Sequence, residues 1–371
     1  MRKIRKIFIA SGHLYAAIGR KTSIHFFVDE FVRAGAEVCF LSVGGSLINR
    51  WRAEKGLYDS VPLDRWYDVR QGLSAFVFTE PFHPVNLRGT IPNVLSAFVY
   101  RVARKQLPVQ VVAEVKDCDL IVIESGLAIL LAAQLLNANA AALSVYKAND
   151  LLRSIGSHPM LSKEERILAP RFDLIASAST QIGDLFPEGS KVATVSHGID
   201  KEAFDAQTVS PYARGTRNVV SVGSTLFDPW PIETLARSHP EWAFHVFGAR
   251  FRGRSRLRNV ILHGERPFSE TIPFIKFADI GLAPYKVEPS EAYLAVTSLK
   301  MLQYAYCGLP VLAPEGPHWG RKNIVTYRQN SPESMSLAFD AAGKMPRVPS
   351  TNIPTWKDAM RLMLLKLGAD I

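Results

Sequence analysis

Eleven short apolar runs, separated by stretches of helical character, constrain this 371-residue chain more than any other feature. Six lie in the first half: KIFIA (6–10), AEVCFLSV (36–43), DLIVIES (119–125), ALSVYKA (142–148), FDLIASAS (172–179) and KVATVS (191–196). Five follow: NVVSVGS (218–224), AFHVFG (243–248), NVILHG (259–264), DIGLAPY (279–285) and LPVLAP (309–314). Alternation of this kind argues for α/β architecture with parallel sheets. Eleven strands are too many for one ordinary sheet, and SPYARGTRN (210–218) reads as a linker. The pattern therefore predicts two α/β domains with parallel sheets, 1–205 and 206–345. A C-terminal segment, 346–371, carries the helix PTWKDAMRLMLLKLG, which is expected to dock back on the first domain.

Composition narrows the class. Hydrophobic residues make up 47% and charged residues 21%, as in a globular protein with real cores. The three cysteines, Cys39, Cys118 and Cys307, have no CxxC spacing, which argues against a zinc site or a disulfide framework and for a reducing compartment. The basic start MRKIRKIFIASGH has too short an apolar run for a signal peptide and reads as a first strand. The most apolar stretch, Leu127 to Tyr146, is interrupted by Gln134, Asn137 and Asn139, whereas a span needs about 20 apolar residues. Net charge is +10, and it is unevenly spread. Residues 1–110 hold 16 Lys and Arg against 8 Asp and Glu, an excess of 8. A one-sided basic region attracts polyanions or anionic lipid.

The stretch from Asp279 to Pro314 reads as strand, polar loop, helix from about Ala295 to Tyr306, Gly308 stop, and strand. A βαβ unit leaves the amides of its helix N-terminus free beside the strand ends, where they and the helix dipole favour an anion. Ser298 and Lys300 fall in that first turn, where a diphosphate would be held. A second segment, His83 to Pro108, has a different character. Val94, Leu95, Ala97, Phe98, Val99 and Val102 form an apolar surface; Arg101, Arg104 and Lys105 form a basic end, and Arg88 precedes it. Two readings fit: a membrane-surface helix, or an ordinary half-buried helix that is basic.

These residues, taken together, resemble the xanthan-type glucuronosyltransferase family, the GumK-like enzymes. The segments that carry the resemblance are TSIHFFVDEF, IVIESGLA, VYKANDLLRSI, VSHGID, VGSTLFDP, FHVFG, HGE, IGLAPY and SLKMLQYAYCGLP, in family order over most of the chain. The resemblance implies a GT-B type fold, two Rossmann-like domains facing across a cleft, with the first binding acceptor and membrane and the second the nucleotide sugar. It implies inverting transfer of glucuronate from UDP-glucuronate to a polyprenyl-diphosphate-linked oligosaccharide, as in bacterial exopolysaccharide assembly. It also implies peripheral attachment to the anionic cytoplasmic face of the inner membrane, with no metal and no other cofactor.

Inversion is a single in-line displacement in which a carboxylate takes the acceptor hydroxyl proton. Asp150, in VYKAND, matches the family's general base; without the resemblance it reads as the N-cap of a helix begun by LLRS. Lys300 matches the donor-phosphate lysine, with Ser298 beside it and Gln303 one turn on. Glu265 and Tyr285 match donor-side positions, and Tyr285 also reads as a strand-end core aromatic. Gly223, Ser224 and Thr225 form the turn that opens the second domain, where glycine permits close approach of a nucleotide. His13 and Asp200 follow first-domain strands and are expected on the cleft; Asp200 also reads as a loop-structure residue, as does His197. The chain departs from the family at three places. Thr225 stands where the family carries methionine, Arg153 adds a cation near Asp150, and RFRGRSRLR (250–258) sets five arginines at alternate positions.

Two motifs mislead. Asp117-Cys118-Asp119 has the DxD form of metal-using glycosyltransferases but precedes its strand, and Glu233 with Glu241 has the spacing of retaining relatives on the wrong helix. Ala295 and Gln303 occupy the positions where the retaining pattern would fall. The competing readings are the same reaction with UDP-glucose or GDP-mannose, or a non-catalytic nucleotide- or nucleic-acid-binding module. No nucleic-acid motif supports the module, and nucleic acid is not an expected partner.

Overall fold

A computed structural model describes residues 1–15, 21–52, 58, 61–248, 257–287, 293–317 and 319–371. The basic run from Arg250 to Arg256 lies outside the described residues, as does most of the polar loop after Val287. The chain divides into two compact units. The second is His197–Thr355 together with Lys21; the first holds residues 1–15, Thr22–Ser196 and Trp356–Ile371.

The first unit is built on an eight-stranded sheet. After the short β1 (Arg2–Lys3) its strands are β2 (Lys6–Ser11), β3 (Glu37–Ser42), β4 (Trp66–Arg70), β5 (Leu73–Val77), β6 (Leu120–Glu124), β7 (Leu143–Ala148), β8 (Leu174–Ser177) and β9 (Val192–Thr194). Their order is β4-β5-β3-β2-β6-β7-β8-β9. All pairs are parallel except the β4–β5 hairpin at one edge. The apolar runs become central strands because both faces are covered: Ile7, Phe8, Ile9, Leu120, Ile121 and Ile123 are fully buried. The order reverses between β2 and β6, the switch point at which open α/β sheets hold ligands beyond their C-terminal strand ends.

The second unit repeats the plan with β10 (Arg217–Val222), β11 (Trp242–Phe247), β12 (Val260–Gly264), β13 (Ile280–Leu282), β14 (Val311–Pro314) and β15 (Ile324–Tyr327). The order is β12-β11-β10-β13-β14-β15, all parallel, with the reversal between β10 and β13. Its core gathers Val219, Ile232, Phe244, Val246, Leu282, Leu312, Met335 and Phe339 between sheet and helices.

The helix Trp356–Leu367 packs in the first unit on the helix Ser23–Arg33. Trp356 stacks flat on Phe26, ring centroids 4.9 Å apart, and meets Phe27 edge-on. A last strand, β16 (Ala369–Asp370), pairs in parallel with β1. Among the described residues no helix is long and apolar enough to cross a membrane.

Candidate active site

In the second unit four of the predicted donor residues, Lys300, Ser298, Tyr285 and Gly223, converge at the switch point. The helix expected over 295–306 is broken at Ser298, whose extended ψ of 115° separates Leu294–Thr297 from Leu299–Tyr306. Ser298 thereby becomes the N-cap of the second helix and accepts from the Met301 amide at 3.4 Å. It also shares a hydrogen bond with the Tyr285 hydroxyl. Lys300, in the first turn, is buried, and its Nζ lies 4.4 Å from the centre of the Tyr285 ring, a cation–π distance. Trp319 stacks nearly parallel to Tyr285. A Cβ on Gly223 would meet Lys300 Cε at 3.7 Å, so the turn after β10 lies against this lysine. Gly223 has φ +98°, and a Cβ on Gly248 (φ +71°) would come within 3.6 Å of Gly223. Two glycines therefore make a bare backbone lip over the ends of β10 and β11, where a flat ligand can approach.

The neighbouring turn is pinned rather than loose. Lys286 donates its amide to Leu226 O at 2.7 Å, and Asp228 donates to Pro284 O at 2.8 Å. Ser224 is half-buried in this turn and Thr225 is exposed. Gln303 is buried on the helix one turn past Lys300. Glu265 is exposed after β12, the edge strand, two strands away from β10. His197 binds Thr297 O through Nδ1 at 2.8 Å. Asp200 caps the helix Lys201–Asp205, accepting from Ala203 N at 3.0 Å.

In the first unit Asp150 follows β7, half-buried. The chain after it forms a turn, with Ser154 N donating to Leu151 O at 2.9 Å, and the next helix begins only at Pro159, capped by His158. Asp150 is therefore not a helix N-cap. Arg153 is exposed in that turn. His13, after β2, has its Nε2 4.0 Å from Glu124 Oε2.

Behind these residues lies a polar network that the sequence reading missed. Glu124, at the end of β6, is buried; Ser11 Oγ donates to its Oε2 and Asn149 Nδ2 donates to its Oε1 at 2.8 Å. Asn149 also reaches Ser23 Oγ at 3.0 Å, and its amide donates to Ser125 Oγ. Lys147 is wholly buried, with Nζ 3.5 Å from Val195 O and 5.1 Å from the Phe27 ring centre. The signal was available: Glu124 and Lys147 are charges at the ends of otherwise apolar runs, and buried charges must be paired.

The Asp117–Asp119 motif resolves at the other end of the sheet. Asp119 accepts from the amides of Arg5 and Lys6, and Asp117 accepts from Lys6 Nζ at 2.8 Å. Among the described residues one cluster has donor spacing for a cation, Glu37, Cys39 and Glu114. Lys6 Nζ sits 2.8 Å from Glu114 and 3.6 Å from Glu37, so an ammonium already supplies the positive charge.

The helix of the basic segment runs Thr90–Ala103. Its buried side chains are Ser96 and Tyr100, while Ile91, Val94, Leu95, Phe98 and Val102 are 60–82% exposed. The apolar stripe thus points to solvent, with Arg88, Arg101, Arg104 and Lys105 exposed around it.

Two Rossmann-like units, each with a switch-point cluster, make up the GT-B fold. Solved structures of that plan superpose over nearly the whole chain. A UDP-forming α,α-trehalose-phosphate synthase from Burkholderia xenovorans matches with TM-score 0.56 and 13% identity, over 98% of this chain and 96% of that one. AviGT4, a glycosyltransferase involved in avilamycin A biosynthesis, matches with TM-score 0.52 and 11% identity, over 98% and 97%. Residues 9–178 match the model of the glucuronosyltransferase GumK N-terminal domain. The UDP-glucuronate:glycolipid 2-beta-glucuronosyltransferase of Xanthomonas campestris pv. campestris is 31% identical over 343 residues, 91% of this chain and 84% of that protein. The chain belongs to the GumK glucuronosyltransferase family.

Proposed function

We propose that this protein transfers glucuronate, with inversion, from UDP-glucuronate to a polyprenyl-diphosphate-linked oligosaccharide. The observation that carries the donor half is the contact between buried Lys300, the Tyr285 ring and the Gly223 turn, at the N-terminus of a capped helix. A lysine and a helix N-terminus together stabilise the charge that grows on a departing diphosphate. In this reading they fill the role a divalent cation has elsewhere, and the reaction needs no metal. Ser298, Gln303, Glu265, Ser224 and Thr225 complete the donor side, with Tyr285 packing near the nucleotide.

Asp150 is the general base, taking the acceptor hydroxyl proton as the sugar C1 bond forms and the UDP oxygen leaves from the opposite face. Its place just beyond the C-terminal end of β7, half-buried, supports this. His13 and Arg153 belong to the acceptor side of the same unit. Asp200 has a lesser claim, since its carboxylate already caps a helix. The glycolipid in the relative's name supports a lipid-linked acceptor. The outward apolar stripe of Thr90–Ala103, ringed by Arg88, Arg101, Arg104 and Lys105, supports peripheral docking on the cytoplasmic face of the inner membrane. Nucleic acid has no part in this reading.

The test is Asp150→Asn, assayed for transfer from UDP-glucuronate to a lipid-linked acceptor. Transfer should fall about a thousandfold with UDP binding retained. Retained transfer would remove Asp150 as base. Transfer from UDP-glucose or GDP-mannose but not UDP-glucuronate would keep the reaction and overturn the donor.

A further inference from the structure

We infer that Trp319, between β14 and β15, is a positioning residue of the donor site: it holds the Tyr285 ring in the orientation that presents Lys300 and the Ser298 cap to a diphosphate. This rests on the reading of Lys300 as the donor-phosphate lysine and extends it to a side chain beyond the βαβ unit that carries the lysine.

β14 and β15 are parallel, and the chain returns from the end of one to the start of the other with no helix among the described residues. Trp319 lies in that return and is 6% exposed. Its indole Nε1 donates to Pro314 O at 2.9 Å, so the C-terminal end of β14 fixes the polar edge of the ring. Its flat face meets Tyr285, with centroids 6.1 Å apart and planes 16° from parallel, an offset stack of the kind aromatic pairs favour. Tyr285 is itself 3% exposed. Its ring carries the Lys300 ammonium at 4.4 Å, and its hydroxyl shares a hydrogen bond with Ser298 Oγ, which also accepts from the Met301 amide. The backbone at Tyr285 is pinned by the Lys286 amide on Leu226 O and by an antiparallel bridge to Phe227. With that backbone fixed, the orientation of the ring is left to the side chains around it, and Trp319 is the one stacked on it. Further along the same return, Arg321 donates to Met301 O at 2.6 Å, on the helix that carries Lys300. The segment therefore holds both the ring against the lysine and the helix that bears it.

A lysine loses rotamer freedom when it clamps a phosphate. One already seated on a fixed ring has lost that freedom beforehand, which favours binding, and a reacting site held in place transfers far faster than a loose one. A tryptophan present for packing alone would alter folding stability and would treat every part of the nucleotide alike.

The experiment uses the full-length protein and titration calorimetry with UDP and with uridine, which lacks the diphosphate. Trp319→Leu should weaken UDP about tenfold and leave uridine unchanged. Trp319→Phe, which keeps a ring to stack, should restore most of the UDP affinity. In a Lys300→Met background Trp319→Leu should have no further effect on UDP, because the group it positions is gone. Equal losses for UDP and uridine, or full additivity with Lys300→Met, overturns the inference. Should Trp319→Leu fail to fold, the native protein decides. The indole N–H signal of Trp319, assigned by its loss in Trp319→Phe, should shift in nitrogen-15 NMR spectra with UDP and not with uridine. A signal that UDP leaves in place overturns the inference. Native UDP affinity in Lys300→Met would instead overturn the donor reading itself. Loss of UDP affinity in Lys300→Met beside full affinity in Trp319→Leu overturns the role of Trp319 alone.

Discussion

At the scale of single residues, this protein puts charge where apolar packing would be simpler. Lys300 is 9% exposed and lies over an aromatic ring, an arrangement that favours an arriving anion over solvent. Lys300→Met should weaken UDP binding about tenfold to a hundredfold and lower kcat about a hundredfold. The melting temperature should hold or rise, because a desolvated ammonium is removed. Titration calorimetry with UDP and a thermal melt check both. A neighbouring position tests the packing behind the site. A Cβ on Gly281 would meet the Tyr304 ring at 2.6 Å, and Tyr304 bonds through its hydroxyl to Val220 O and the Val222 amide beside the Gly223 turn. Gly281→Ala should destabilise the unit by about 1–3 kcal/mol, the usual consequence of overpacking, and denaturant melts would register it.

At the scale of elements, the sequence was most legible where strands are buried on both faces. Each of the eleven apolar runs contains a strand, since a run such as DLIVIES has no other way to hide both of its sides. The β4–β5 hairpin and β15 were not read. WYDVR and IVTY mix polar residues into short segments, and their positions at or near a sheet edge relax the demand for continuous apolarity. The break at Ser298 was also invisible, because AVTSLKMLQYAY has unbroken helical character and only the cap geometry interrupts it. At the site, Lys300, Ser298, Tyr285 and Gly223 were nameable from one βαβ unit and one turn. Glu124, Asn149 and Ser23 were not, since Ser23 meets Asn149 across 126 positions of chain and Asn149 meets Glu124 only where two strands pair, 25 positions apart. The helix Thr90–Ala103 is where pattern and structure had to be combined: amphipathicity leaves open which side is buried, and only its exposed stripe decides. Val94→Glu with Phe98→Glu should reduce binding to anionic vesicles about tenfold or more in a flotation assay. The melt should be unchanged, because neither side chain packs on the unit. The remaining binding should weaken with salt, as basic residues within a Debye length of a charged surface require.

At the scale of the whole molecule, two sheets with two separate cores predict two responses to ligand. Saturating UDP, at about 100 times its dissociation constant, should stabilise the unit containing Lys300 by about 2.7 kcal/mol. Scanning calorimetry should then show the transition of His197–Thr355 moving up while that of the other unit stays in place. Movement of the first unit alone would put the nucleotide elsewhere.

The return of Trp356–Ile371 to the first unit has a consequence for how the protein is made. The ribosome delivers the whole of His197–Thr355 before it delivers the helix that covers Phe26 and Phe27. During synthesis the earlier-emerging unit waits with an uncovered aromatic patch while the later one can close its core. A nascent chain halted just before Trp356 would therefore present a finished second unit joined to an unfinished first one, with exposed aromatic surface of the kind that chaperones and proteases detect.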